Sequence, residues 1–127
     1  MQDRQLFEYA VIRVVPRVER EEFINVGVIV YCAKQKYLKS AFVLDEVKLK
    51  ALAKDIDVKA VKDNLLAFTR LCSGGKAGGP IGELDLASRF RWLTAMRSTV
   101  VQTSRVHPGF CIDAEEKLIV LLKEQVL

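Results

Sequence analysis

The chain has 127 residues, of which 50% are hydrophobic and 28% are charged, and its formal net charge is +4. This composition is typical of a globular protein and excludes an intrinsically disordered chain. The length suits one domain over residues 1–127, and the mildly basic charge neither requires nor excludes a nucleic-acid partner.

Cysteine usage and targeting patterns favour a cytoplasmic protein. Cys32, Cys72 and Cys111 are far apart and form no CxxC motif, so no disulfide framework and no metal site is predicted. The start, MQDRQLFEY, lacks the apolar segment of a signal peptide. The longest apolar stretch, VGVIVYCA, is too short to cross a membrane. We expect a cytoplasmic protein without a membrane partner, metal or cofactor.

Three β-strands are predicted in the first third of the chain. Residues 6–16 alternate between two mostly apolar faces, which indicates a central strand, and Pro16 ends it. Residues 24–33 are a second strand rich in valine and isoleucine, and residues 37–44 are a third after a polar turn. The short charged insert between the first two strands predicts an antiparallel hairpin.

The pattern then changes from strand to helix. Asp45 and Asp57 are predicted to cap two helices, the second with an apolar stripe from Val58 to Cys72. The glycine-rich sequence SGGKAGGPIG follows, and we expect a mobile loop that tolerates shortening. Its Lys76 is not followed by Ser or Thr, which argues against a phosphate-binding P-loop.

The last third of the chain supplies the remaining predicted elements, from which the fold class follows. Residues 84–95 predict a third helix, the β-branched sequence STVVQT predicts a fourth strand, and HPGF predicts a tight turn. Asp113 and Glu116 resemble a capping box at the start of a final helix that ends near Gln125. The order β-β-β-α-α-α-β-α predicts an α+β fold, with helices packed on an antiparallel-rich sheet of about four strands.

Three residues interrupt the apolar pattern of the first two strands: Arg13, Asn25 and Gly27. If Pro16 lies opposite Ile24, Arg13 faces Gly27, and all three residues form a polar notch on one face. Two roles for the arginine stay open. It pairs with an acid of the charged insert, or it binds an anionic ligand. The acids within reach are Glu19, Glu21 and Glu22.

A second polar cluster lies late in the chain. Arg97 and Ser98 are suited to hold a phosphate or carboxylate, or they form a solvated joint between helix and strand. His107, the only histidine, is either a surface residue or a general acid–base, and no nucleophile or paired carboxylate lies near it in sequence. Because a domain has few concave sites, we expect Arg13 or Asn25 to lie within reach of this cluster.

Two stretches resemble the signatures of a bacterial family catalogued as domain of unknown function 3037. They are YAVIRVVPRVEREEFINVGVIVYC and RFRWLTAMRSTVVQTSRVHPG, and the likeness is weakest between Asp45 and Gly82. The family pattern falls on Arg13, Pro16, Glu22, Asn25, Gly27, Arg89, Trp92, Arg97, Ser98, His107 and Gly109. The resemblance assigns no activity to these residues. It implies a small bacterial protein that acts beside a kinase-like partner of the HipA type.

Three functional hypotheses follow. The first is a non-enzymatic accessory or protein-interaction domain, because the sequence shows no assembled catalytic set. The second is a small enzyme or ligand-binding domain for an anionic substrate. Its candidate residues are Arg13, Asn25, Gly27, Arg97, Ser98 and His107. The third is a nucleic-acid binder, which requires the late arginines to share one basic face with Lys34, Lys36 and Lys39.

Overall fold

The computed structural model describes residues 3–127 and has helices packed on an antiparallel five-stranded sheet, which confirms the predicted α+β class. The strands are β1 (Gln5–Val14), β2 (Ile24–Cys32), β3 (Tyr37–Phe42), β4 (Val101–Thr103) and β5 (His107–Cys111). The helices are α1 (Glu46–Leu52), α2 (Val58–Ser73), α3 (Gly79–Gly82), α4 (Leu86–Leu93) and α5 (Ala114–Gln125). None of these helices is long and apolar enough to span a membrane.

Strand β1 is central, as its two apolar faces predict. β2 pairs with one edge of β1, while β4 and β5 lie end to end along the other edge, and β3 pairs with β2. Ser104 bridges the break between β4 and β5. Its backbone N–H donates to Val11 O at 2.8 Å, and its Oγ accepts from Val11 N–H at 2.9 Å. The edge of β1 therefore stays hydrogen-bonded across the break.

The β1–β2 connection leaves the sheet earlier than the sequence predicts. Ile24 pairs with Val14 rather than with Pro16. The N–H of Val15 instead donates to Val100 O at 2.6 Å, and the chain turns through a short 3₁₀ helix at Val18–Arg20. The predicted pairing of Pro16 with Ile24 is therefore wrong, because the register of the hairpin places Ile24 opposite a residue two positions earlier in β1.

Strand β5 was not expected, because its sequence HPGF predicts a tight turn. His107 lies opposite Tyr9, and Gly109 lies opposite Phe7. Pro108 has no N–H to donate, which an edge strand tolerates. A Cβ on Gly109 would lie 2.7 Å from the Phe7 ring, so this glycine makes room for the aromatic side chain. The turn prediction is wrong because Pro-Gly is compatible with both a turn and an edge strand.

The two faces of the sheet are covered by different helices. Helices α2 and α4 pack on one face, where the largest contributions come from Ile12, Ile29, Leu65, Phe68, Phe90 and Leu93. Helix α5 packs on the other face. Its cluster contains Phe7, Val28, Val30, Cys32, Leu118 and Leu121. Both clusters therefore draw on β1 and β2.

Aspartate side chains begin the four longer helices. Asp45, Asp57 and Asp113 cap α1, α2 and α5 as the sequence predicts, and Asp85 caps α4. The Asp113 carboxylate accepts from the N–H of Glu115 at 3.0 Å, one residue earlier than the predicted capping box implies. These caps satisfy backbone N–H groups that have no partner within the first helical turn.

The glycine-rich segment is folded rather than irregular. It contains a 3₁₀ turn at Lys76–Gly78 followed by the single turn of α3. The N–H of Gly75 donates to Gly82 O at 2.7 Å and closes the segment. Gly82 is buried, and a Cβ there would lie 2.5 Å from Gly75 O. Glycine composition does not reveal this closure. That the segment is mobile and tolerates shortening stays a prediction.

Candidate functional site

A β-bulge in β2 sets the register beside the first polar cluster. Arg13 lies opposite Asn25, Ile12 lies opposite Gly27, and Val26 is the additional residue. The prediction that Arg13 faces Gly27 is therefore wrong. The pairs before the bulge already differ by one residue from the predicted register, and the bulge adds one residue more. Arg13 and Asn25 do share a sheet face, since directly opposed residues point to the same side.

Gly27 has a structural reason that does not involve Arg13. It shares the face of Ile12, on the side of the sheet opposite to Arg13. A Cβ on Gly27 would lie 2.4 Å from Ala41 O and 3.0 Å from Phe42 Cβ. The glycine thus permits the close approach of β3, and it is not part of a notch with Arg13.

Arg13 is half-buried and stacks on an aromatic ring. Its Cζ lies 4.0 Å from the centroid of Phe23, and its buried Nε has no hydrogen-bond partner in residues 3–127. Burial lowers the pKa of Arg13 below its ordinary value. No salt bridge of the described residues includes Arg13, and Glu22 pairs with Arg20 at 2.7 Å instead. The expected pairing of Arg13 with an acid of the insert does not form.

A cavity of about 390 Å³ lies beside Arg13, and we name it the arginine cavity. Its lining includes Arg13, Glu21, Phe23, Met96, Arg97 and Ser98. The structure thus places three of the candidate residues, from both polar clusters, in the wall of one cavity. The pairing of β4 with the end of β1 explains the proximity, because Gln102 lies opposite Arg13 and also lines the cavity.

Arg97 repeats the arrangement of Arg13 on a second aromatic ring. Its Cζ lies 4.2 Å from the centroid of Trp92, and its Nη2 donates to Trp92 O. No carboxylate of the described residues pairs with it. A guanidinium has five N–H donors in one plane, so stacking and one hydrogen bond orient the group and leave donors for a ligand.

The surroundings of the two arginines are unusually apolar for an exposed surface. Phe23 is 46% exposed, Trp92 is 42% exposed and Met96 is 79% exposed. Arginine, methionine and aromatic residues are enriched at protein–protein interfaces. Sequence reasoning missed Phe23 and Met96, although each is a large apolar residue directly beside a charged one.

Asn25 and His107 lie outside the arginine cavity. The Nδ2 of Asn25 donates to Gln125 O at 3.1 Å, which ties β2 to the end of α5, and Asn25 lines a different cavity. His107 lies opposite Tyr9, and the centroids of the two rings are 5.3 Å apart. Tyr9 is four residues before Arg13 in β1, which is about 13 Å in an extended strand. The two polar clusters therefore meet only in part.

The side chains around the arginine cavity offer binding rather than nucleophilic groups. Cys32, Cys72 and Cys111 are buried free thiols, and burial raises the pKa of Cys72 to about 11. In the part of the chain that is described, no cluster of three His, Cys, Asp or Glu residues could hold a metal ion. The charged and polar groups of the cavity therefore include two positioned cations, the Glu21 carboxylate and the Ser98 hydroxyl.

Several of the basic residues proposed for nucleic acid lie in separate parts of the structure. Arg89 is buried, and Arg91 pairs with Glu8 at 2.8 Å. Lys39 pairs with Glu115 at 2.9 Å, near the start of α5. Arg97 instead lies beside the opposite end of β1, where β4 begins. Arg89 and Arg97 therefore do not contribute to the surface around Lys39, whereas the nucleic-acid hypothesis requires one continuous basic face.

Comparison with known proteins identifies a family but no relative of known activity. No curated protein and no solved structure matches the chain. The family model described as "Protein of unknown function (DUF3037)" matches residues 9–126, a range that includes both signature stretches and the arginine cavity. The chain therefore belongs to the DUF3037 family of proteins of unknown function.

Proposed function

We propose that this chain is a protein-interaction domain that binds an acidic side chain of its partner in the arginine cavity. One observation carries the proposal. Arg13 and Arg97 each stack on an aromatic ring, neither pairs with a carboxylate of residues 3–127, and both line the same cavity.

The electrostatics of the cavity favour a single carboxylate as its ligand. A half-buried guanidinium without an anion loses hydration and gains no ion pair in return. A carboxylate would supply charge-assisted hydrogen bonds to both arginines. Glu21 also lines the cavity, so two positive groups and one negative group leave one positive charge in excess. This excess suits an aspartate or glutamate better than a phosphate, which carries nearly two negative charges at neutral pH.

The rim of the cavity favours a protein partner over a small solute. Phe23 and Met96 are exposed apolar residues in the lining, and Trp92 is exposed beneath Arg97. Buried aromatic and arginine anchors contribute most of the affinity in many protein complexes. The resemblance of the two signatures implies a HipA-type, kinase-like partner, which is the first protein to test.

A quantitative pull-down from cells that carry the native gene tests this function. The bait proteins are the wild-type chain, the R13A/R97A double variant and R91A, which removes an exposed arginine that is paired with Glu8. Mass spectrometry should find a protein that wild type and R91A retain and that the double variant loses by about tenfold or more, as expected for about 1.4 kcal/mol. Identical retention by all three baits would contradict the proposal.

A stability measurement separates a binding role of Arg13 from a structural one. R13A removes the stacking on Phe23, so its free energy of unfolding should fall by about 1 kcal/mol or less. L65A truncates a fully buried residue of the α2 face and should cost about 2–5 kcal/mol. Urea denaturation compares the two variants. If R13A destabilises the chain as much as L65A, Arg13 is structural and loss of the partner by R13A has no bearing on binding.

A further inference from the structure

A second cavity adjoins the arginine cavity and has a different chemistry. Its volume is about 290 Å³, and it lies between α2, α4 and the start of β4. The apolar part of its lining comprises Ala67, Phe68, Leu71, Trp92, Leu93 and Val101. We name it the tryptophan cavity. Its size is in the lower range of ligand pockets and suits one large apolar side chain.

Arg97 lines both cavities, and the residues near it in the chain line either one cavity or the other. Met96 and Ser98 line the arginine cavity, whereas Thr99 and Val101 line the tryptophan cavity. The Arg97 guanidinium lies over the Trp92 ring, and that ring lines the tryptophan cavity. A group bound by Arg97 is therefore adjacent to an apolar recess as well as to Arg13.

We infer that the partner segment carries a large apolar residue directly beside the acidic residue, and that the two side chains occupy the two cavities together. This inference rests on the proposed function. Successive Cα atoms are 3.8 Å apart, and successive side chains of an extended segment point in opposite directions. A segment that crosses Arg97 would thus direct a carboxylate to one side and its neighbour to the other.

The charge of the arginine cavity and the apolar lining of the tryptophan cavity both favour a partner segment with an acidic residue beside an apolar one. The positive excess of the arginine cavity attracts the carboxylate. Apart from Arg97, which the two cavities share, the lining of the tryptophan cavity has only two polar residues, Asn64 and Thr99. Transfer of a leucine-sized side chain from water into such walls is favourable. The two contributions come from one short segment, so binding one side chain positions the other at a high effective concentration.

Selection from synthetic peptide libraries tests the inference with the full-length chain. One library has a fixed central glutamate with randomised neighbours, a second has phosphoserine at that position, and a third has glutamine. The immobilised chain should retain the glutamate library best. Leucine, isoleucine, phenylalanine or methionine should be enriched directly beside the fixed residue, and peptides with this pair should bind about tenfold tighter than those with serine beside glutamate.

Two variants assign each side chain to its cavity. A67W fills the tryptophan cavity, so it should remove the preference for an apolar neighbour and keep the preference for glutamate over glutamine. R13A should do the reverse. N64W, at an exposed position on the rim of the tryptophan cavity, provides a second filling variant if A67W fails to fold.

The outcomes separate this inference from the function on which it rests. Retention that depends on glutamate but on no neighbouring residue overturns the paired site and leaves the proposed function intact. Retention that is equal for glutamate and glutamine, or absent from all libraries, overturns both. A stronger preference for phosphoserine overturns the single-carboxylate ligand. Phenylacetate that binds as tightly as the best peptide overturns the protein segment in favour of a small molecule.

Discussion

Three of the four arginines of the second signature have different environments, although their sequence contexts look alike. Arg89 is buried and donates from Nη1 to Leu71 O at 2.8 Å and to Cys72 O at 2.7 Å, and from Nε to Leu84 O at 2.9 Å. It satisfies carbonyl groups at the end of α2, where a cation also interacts favourably with the helix dipole. Arg91 forms a surface ion pair, and Arg97 stacks on Trp92.

Substitution of Arg89 should therefore destabilise the chain far more than substitution of Arg91. R89M leaves three carbonyl groups without their charged donor, and we expect the free energy of unfolding to fall by about 3 kcal/mol or more. R91M breaks the surface pair with Glu8 and a cation–π contact with Phe90, for which about 1 kcal/mol or less is expected. Urea denaturation of both variants measures the difference, and equal losses would show that Arg89 does not hold the end of α2.

At the scale of helices and strands, the sequence predicts the features that depend on contacts between residues close together in the chain. The aspartate caps depend on contacts within three residues, so Asp45, Asp57 and Asp113 could be identified without a structure. The bulge at Val26 and the strand β5 depend on partners across the sheet. The predicted helix starts were therefore right, whereas the predicted strand register and the pairing at the edge of the sheet were wrong.

The glycine-rich segment illustrates the same limit and provides a prediction. G82A places a Cβ 2.5 Å from the backbone oxygen of Gly75, so the closure between these two glycines must open. We expect a loss of about 1–3 kcal/mol, typical of overpacking. G78A is the matched control in the same segment, because its Cβ meets only the flexible Leu71 side chain, at 3.0 Å.

Thermal unfolding of the two glycine variants checks this expectation. G82A should melt at a clearly lower temperature than wild type, and G78A should stay close to it. If G82A melts like G78A, the contact between Gly75 and Gly82 contributes little, and the segment is the tolerant loop that its composition suggests.

At the scale of the whole molecule, the candidate site is where two distant stretches meet at one end of β1. The sequence predicted a meeting of the two polar clusters, and Arg13, Arg97 and Ser98 line one cavity. It could not predict that β4 and β5 pair with different parts of the same edge of β1. This pairing places His107 opposite Tyr9, in the middle of β1 and away from the arginine cavity. The alternation of residues along a strand predicts on which face of the sheet a side chain lies. Which part of β1 a strand pairs with depends on the tertiary structure.

The sharing of β1 and β2 between both hydrophobic clusters predicts that the chain unfolds as one unit. Phe7 and Val28 belong to the α5 face, while Ile12 and Ile29 belong to the α2 and α4 face. Neither cluster can lose its sheet residues without exposing the other, so a truncation on either face should lower the stability of the whole chain. L65A on α2 and L118A on α5 should each cost about 2–5 kcal/mol.

The only tryptophan, Trp92, reports on α4, while far-UV circular dichroism reports on all helices and strands. For wild type, L65A and L118A, the urea midpoints from Trp92 fluorescence and from circular dichroism should coincide, as in a two-state transition.

L118A is the decisive variant, because Leu118 lies on the face of the sheet opposite to α4. If L118A shifts the circular dichroism transition and leaves the fluorescence transition unchanged, α5 unfolds independently, and the expectation of one cooperative domain is wrong. Coincident shifts would instead mean that the sheet transmits a change under α5 to the helix that carries Trp92, and with it to the wall of the tryptophan cavity.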